Sequence, residues 1–351
     1  MEHNNEYLID LLVRCHNGDK NAIKEYGKLR WKDLQKKITF DEVFIKKMYE
    51  LSEKDNSYAL NILGLMHHYG DGVTTDRVRT KELYEQAGEK GNGIALFNLA
   101  VMYYDGNDTE DDFIKAKKLF EQAVEKGVDT AICSLAVMYC NGHGTEQNFI
   151  TAKELFEKAI EKGDVTALLH LGNMYYIGYD GKKDCVKTIE LYEQAIKKGI
   201  DFAMIQLARV YSDDEDGTND LKAIELYKKF IENNVDNHIA LEELSSIYVT
   251  SDKYKNYIEA AKIYLNLKNK NKLKEIIIKI IHTNGTTDIP ELMKLVYDPR
   301  IDELYGKKIP SAIKTLRKMN QYCQHEISKT ILSCRKIPSE VINKEIIPKI
   351  D

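Results

Sequence analysis

Through the middle of this chain, positions 36 residues apart carry the same residue types, and few folds tolerate such a rule. Alanine stands at Ala59, Ala95, Ala131, Ala167 and Ala203, and leucine at Leu63, Leu99, Leu135, Leu171 and Leu207. Four residues beyond each leucine come His67, Tyr103, Tyr139, Tyr175 and Tyr211. The second half of the unit keeps the same step at Leu83, Leu119, Leu155 and Leu191, then at Ala87, Ala123, Ala159 and Ala195, and at Gly91, Gly127, Gly163 and Gly199. A fixed period of this length marks a repeat array, which grows in one dimension and escapes the usual domain count for 351 residues.

Each column has a physical reason. Ala59, Leu63, Gly64 and His67 fall on one stripe of an α-helix, and Leu83, Tyr84 and Ala87 on another. The small residues at 59 and 64 let a neighbouring helix approach to the close end of the usual 8–10 Å range. Gly70 with Gly72, and Gly142 with Gly144, suit the stop of a first helix, and Gly91 the stop of a second. The unit is therefore helix, glycine turn, helix, glycine turn, and one such pair cannot bury its apolar stripe alone. The spacing predicts clear copies over 59–234 and worn copies over 5–58 and 235–271. Asn5–Cys15 reads as half a unit capping the N-terminus, with Ala22, Tyr26, Met48, Leu51 and Asp55 in displaced register.

The segment from Ala59 through Leu63, Gly64, His67, Gly70 and Gly72 to Val73 resembles the opening of a Sel1-like repeat. Arg79 to Gly91, with Leu83, Tyr84 and Ala87, is similar to its second helix. Tetratricopeptide repeats are the near relative; the 36-residue step, the Gly-x-Gly turn and the lack of a proline closing each unit stand against them. The resemblance implies an all-α fold, an α/α superhelical solenoid whose first helices line a concave groove. It also implies a scaffold or adaptor that binds other proteins or peptide segments. Two turns depart from the pattern: Gly178 and Gly181 are set one place wider, and Asp213 to Gly217 replaces the turn of the fifth copy.

Apolar residues are 43% of the chain and charged residues 30%, enough to fold a core, and the net charge of −5 argues against the whole molecule being a nucleic-acid binder. The first residues lack a secretory pattern, and no apolar run approaches the roughly 20 residues of a transmembrane helix. Six cysteines without a pairing pattern suit reduced thiols in a cytoplasmic setting, the host cytoplasm included if the source is an intracellular microbe or virus.

Catalytic motifs are thin on the ground, and no cofactor is expected. Cys133, Cys140 and His143 lack a fourth zinc ligand nearby, so the cysteines read as small apolar residues. Ser212 to Gly217 looks like a calcium loop only superficially, since Ala223 stands where a bidentate glutamate belongs. Some small secreted Sel1-like proteins are linked to β-lactam hydrolysis, but they pair two cysteines in each repeat, unlike this chain. The expected site is the open side of the first helices. The seven-spaced pairs there are Asn61/His68, Phe97/Tyr104, Cys133/Cys140, Leu169/Tyr176 and Ile205/Ser212. Asn61, His68, Phe97, Tyr104, Leu169 and Tyr176 are the candidate partner-binding residues.

All five prolines lie beyond residue 289, which sets a compositional boundary near 272. The remainder, 272–351, reads as a helical cap: Lys272–Thr283 closes the stack, and a basic helix follows over about 310–334. Residues 307–336 hold eight lysines and arginines against Glu326 alone, a net +7, beside a net −11 over the first 306 residues. Either this helix lies back on the acidic body, or Lys314, Arg317, Lys318 and Lys329 are the candidates to meet an acidic partner, an anionic membrane or nucleic acid.

Overall fold

The computed structural model describes residues 2–106, 109–179, 181–213, 217–234, 237–251, 256–282, 289–311, 313–314 and 316–318. Among the described residues there are helices, turns and bends and no strand. The chain divides into two compact units, Met1–Lys198 and Gly199–Asp351. That division falls between two copies of the repeat, not at the compositional boundary near 272.

The first unit opens with α1 (Glu2–His16), α2 (Lys20–Tyr26), α3 (Trp31–Gln35) and α4 (Glu42–Glu53). Four pairs follow: α5 (Ser57–Tyr69) with α6 (Arg77–Glu89), α7 (Gly93–Tyr104) with α8 (Glu110–Glu125), α9 (Thr130–Asn141) with α10 (Phe149–Glu161), and α11 (Thr166–Ile177) with α12 (Cys185–Lys197). Every helix from α5 to α12 packs on the one before it, within its pair or across from the preceding pair. The stack of helix pairs required by the 36-residue step is therefore what forms.

The reasons are local as well as tertiary. Asn56, Asp76, Asn92, Thr109, Asn148 and Asp184 each accept a backbone N–H of the first turn that follows them, starting a helix. The glycines that close the second helices, Gly91, Gly127, Gly163 and Gly199, have φ of +85°, +84°, +91° and +88°, where a side chain would be strained. One unit earlier the same slot is filled by Asp55, which takes φ +65° and pairs with Lys90 at 2.6 Å.

The seams between helices are made by the periodic small residues. Ala59, Ala95, Ala131 and Ala167 are fully buried. Gly64 lies under the ring of Tyr84, and Gly172 under Tyr192, where a Cβ would come within 2.6 Å of ring carbon. Where the first helix carries Ala100 or Ala136 instead, the second helix brings Phe120 or Phe156 to the core. Glycine goes with tyrosine and alanine with phenylalanine in all four pairs.

The four N-terminal helices depart from the paired pattern that follows. The half unit expected at Asn5–Cys15 is α1, with Leu8, Leu11 and Leu12 fully buried. Ala22 and Tyr26 on α2, and Met48 and Leu51 on α4, are buried as their register requires. The extra turn α3 places Trp31 against the turn of the next unit: its indole N–H donates to Asp71 at 2.8 Å, and Gln35 donates to the same carboxylate at 2.7 Å.

The second unit contains α13 (Phe202–Ser212) with α14 (Asp220–Asn233), then α15 (His238–Thr250) with α16 (Tyr257–Asn266). It continues through α17 (Lys270–His282), α18 (Ile289–Val296) and α19 (Pro299–Tyr305). The copy expected at 235–271 is α15 and α16, with Ala240, Leu244, Ala260 and Tyr264 buried. The helix expected from Lys272 is α17, packed on α16. Across α13 to α15 the Arg209 guanidinium grips Glu243 through both Nε and Nη2, and the Tyr227 hydroxyl donates to the same carboxylate at 2.6 Å.

Candidate functional site

The first helices of the first unit do not offer all the expected pairs to solvent. His68 is exposed, and Phe97, Tyr104, Leu169 and Tyr176 are half-buried. Asn61 is the correction: it is 1% exposed, donating its amide to the Tyr26 hydroxyl at 2.7 Å and accepting from the Asn98 amide at 3.0 Å. Cys133, and Ile205 in the second unit, are buried as well. The first member of each pair lies two residues after a seam alanine, so it tends to point into the packing between first helices; only the second member sits near the open end.

The half-buried aromatics are held by neighbouring side chains. Phe97 tilts against Phe120 with ring centres 5.6 Å apart, and Tyr104 against Phe113 at 5.5 Å. The Tyr104 hydroxyl meets His143 Nδ1 at 3.1 Å, and the His143 ring stacks on Phe113 at 4.3 Å. Lys183 lies over the Tyr176 ring, 4.7 Å from its centre. Between α5 and α7 the surface sinks into a cavity of about 600 Å³ that includes His68, Tyr69, Arg77, Asn98, Met102 and Asp105. Its mixed lining suits a polypeptide side chain with a polar end.

The zinc candidates part company. Cys133 is buried with its sulfur 3.9 Å from the Thr166 hydroxyl, and burial pushes its thiol up to about 12. Burial also raises the Cys140 thiol, while His143 is committed to Tyr104 and Phe113. Among the described residues, no group of three or more His, Cys, Asp and Glu side chains converges on a possible metal position. The calcium-like turn at 212–217 lies partly outside the described residues, as does most of the expected basic helix, Lys329 included. Arg317 is absorbed by the fold: Nε donates to the Val296 carbonyl at 2.7 Å, Nη1 reaches Asp302 at 2.7 Å, and the guanidinium lies over Tyr297. Lys314 and Lys318 are exposed.

Two features escaped the reading from sequence. Asn56 and Asn92, one step of 36 apart, are buried and do double duty. Each caps its helix through the side-chain oxygen, while its amide donates to a carbonyl of the preceding unit, Leu12 and Ser57, both at 3.0 Å. Their recurrence just before a first helix was the available signal. The tyrosine column also has a partner: Lys81 and Lys115 lie over Tyr103, Lys117 over Tyr139 and Lys187 over Tyr175, within 4.8–5.4 Å of the ring centres.

Stacked helix pairs, seams of alanine and glycine, and partly open aromatics on the first helices define a helix-pair repeat protein. No helix among the described residues is long and apolar enough to cross a membrane. The Sel1 repeat model matches residues 57–92, 93–128, 130–164, 165–200 and 201–235, just over half of the chain. The chain belongs to the Sel1 repeat family. Its fold is similar to that of a Sel1 repeat protein from Oxalobacter formigenes, 25% identical, over 63% of this chain and 89% of that one, with a TM-score of 0.53. Weaker structural likenesses are to c5321, a protective antigen of uropathogenic Escherichia coli with this repeat fold, and to a Sel1 repeat protein from Klebsiella pneumoniae. The first is 20% identical, over 97% of this chain and 94% of that one, with a TM-score of 0.37. The second is 22% identical, over 57% and 97%, with a TM-score of 0.41. No curated protein matches the chain in sequence.

Proposed function

We propose that this chain is a non-catalytic scaffold that holds partner proteins or peptide segments along the open edge of its first helices in the unit Met1–Lys198. The observation that carries the reading is the placement of His68, Phe97, Tyr104, Leu169 and Tyr176, all partly open to solvent on the first helices α5, α7 and α11. The cavity beside His68 adds a recess into which a side chain can be anchored. Partly open aromatics that are already held by their neighbours bind with little loss of side-chain freedom, which favours them as anchors. A stable partner covers about 1,200–2,000 Å² in total, which requires several adjacent pairs acting together.

The test is affinity capture with mass spectrometry, comparing the full chain with Phe97→Ala/Tyr176→Ala. The reading requires a defined set of proteins held by the parent chain and lost from the variant at unchanged helix content. An identical set from both would contradict it. Hydrolysis of a chromogenic cephalosporin by the purified chain would contradict the non-catalytic part.

A further inference from the structure

Near the start of the second helices, aliphatic side chains stand out into solvent. In the first unit these are Val43, Val78, Ile114, Ile150 and Val186, exposed by 78, 70, 51, 70 and 69%. The last four are spaced by 36 residues, so the column keeps the register of the repeat itself. Single exposed aliphatics are ordinary; these are set apart by recurring at one position of every unit. Val78 also borders a cavity of about 410 Å³ between α6 and α8, with Lys81, Leu99, Tyr103 and Lys115 around it.

We propose that this column is a self-association surface, through which two copies of the chain pack second helices against second helices, in register, about a two-fold axis running along the stack. The pitch argues for this partner. A single helix or strand presents apolar residues every turn or every second residue, far closer together than one per helix pair. Another stack of the same unit presents them at the matching spacing.

The flanking charges select the arrangement. On a helix face the neighbours of a residue lie three and four positions away, so each aliphatic has one flank toward the turn and one toward the helix C-terminus. Beside Ile114 the turn flank is Glu110 and Asp111, and the exposed residue of the other flank is Lys118. Beside Val186 the signs reverse, with Lys182 and Lys183 on the turn flank and Glu190 on the other. Beside Ile150 they are Glu146 and Lys153, with Glu154 adjoining. An axis along the stack sets each turn flank against the opposite flank of the same unit in the partner. Acids then face a lysine at Ile114 and lysines face an acid at Val186, while at Ile150 Glu146 meets both Lys153 and Glu154. An axis across the stack would set Glu110 and Asp111 against Glu146 of the partner, like against like. The interface is isologous, as a closed dimer requires, and it leaves the first helices free for other partners.

The experiment is light scattering after size exclusion on the full chain, from about 1 to 100 µM, a range that spans moderate affinities. A monomer–dimer equilibrium is expected. Ile114→Asp/Ile150→Asp should weaken it by at least about tenfold, a loss on the scale of an interface anchor, with an unchanged helical spectrum because both side chains are already exposed. Lys118→Glu should weaken it too, and adding Glu110→Lys/Asp111→Lys should restore it. In a Cys185→Ser background, Ile114→Cys should cross-link to itself. A chain that stays monomeric throughout, or a dimer indifferent to these substitutions, would overturn the proposal. So would a monomer whose flotation with anionic vesicles depends on Ile114 and Ile150, which would assign the column to lipid. Cross-linking of Ile114→Cys only to Ile150→Cys in mixtures would overturn the in-register arrangement.

Discussion

Gly172 and Gly64 show what one missing methyl group does in this fold. The second-helix tyrosine slides over the glycine, and at Tyr192 the hydroxyl travels on to donate to Asn173 Oδ1 at 2.5 Å. Gly172→Ala places a methyl within 2.6 Å of the ring, so the helices must separate. Overpacking of this kind costs about 1–3 kcal/mol. Chemical denaturation should show the loss, and Tyr192→Phe in the same chain should recover part of it, because the ring is then free to withdraw as Phe120 and Phe156 do over alanine. No recovery would mean that the hydroxyl does not hold the ring forward. The cysteines give a second expectation at this scale. Cys15 and Cys133 are buried, with thiols pushed up by burial to about 11 and about 12, whereas Cys185 is exposed. A thiol reacts as thiolate, so a maleimide near neutral pH should label Cys185 well before the other two in a peptide map. Prompt labelling of Cys133 would contradict its burial.

At the scale of elements, the junction between units rests on buried polar groups as well as on apolar seams. Asn92 caps α7 and satisfies the Ser57 carbonyl of the unit before it. Asn92→Ala loses the cap and the junction bond to the Ser57 carbonyl, which keeps its partner within α5, about 2 kcal/mol in sum. Asn92→Asp keeps the cap acceptor but cannot donate, so a smaller loss in the same denaturation experiment separates the two roles; equal losses would assign everything to the junction bond. The N-terminal copy has its own reporter in Trp31, the only tryptophan of the chain. Its emission should be that of a buried indole, and Asp71→Ala should shift it to longer wavelength by removing the acceptor shared with Gln35. An unmoved spectrum would mean that apolar packing alone seats α3.

The helix pairs were legible in the sequence because a column of identical residues averages out local noise, which is why α5 to α12 fall where the 36-residue step puts them. The candidate surface was legible only in part. Spacing places a residue on a helix face, but it does not say how deep the neighbouring first helix reaches. Phe97 and Asn61 share a column, yet Asn61 is locked between Tyr26 and Asn98 while Phe97 stays half open. The double duty of Asn56 and Asn92 escaped because a cap is a local signal, while the carbonyl each reaches belongs to the preceding unit, 44 and 35 residues away.

At the scale of the molecule, the periodic seams imply that no helix pair is self-sufficient. Stability in such a chain is nearly the sum of weak units and strong neighbour terms, so it should rise steeply with the number of pairs. Leu96, Phe120 and Leu135 illustrate the point, since they share one core drawn from α7, α8 and α9, while Leu99 of α7 belongs to the core of the helices before it. The scaffold reading depends on this, because only a rigid multi-pair stack holds separated anchors such as Phe97 and Tyr176 in fixed relation. The most direct measurement is circular dichroism with thermal melting on the single pair 93–128 beside the three-pair fragment 57–164. The three-pair fragment should be strongly helical and melt cooperatively, and the single pair should be largely unstructured. A single pair that is helical and melts cooperatively on its own would contradict the account.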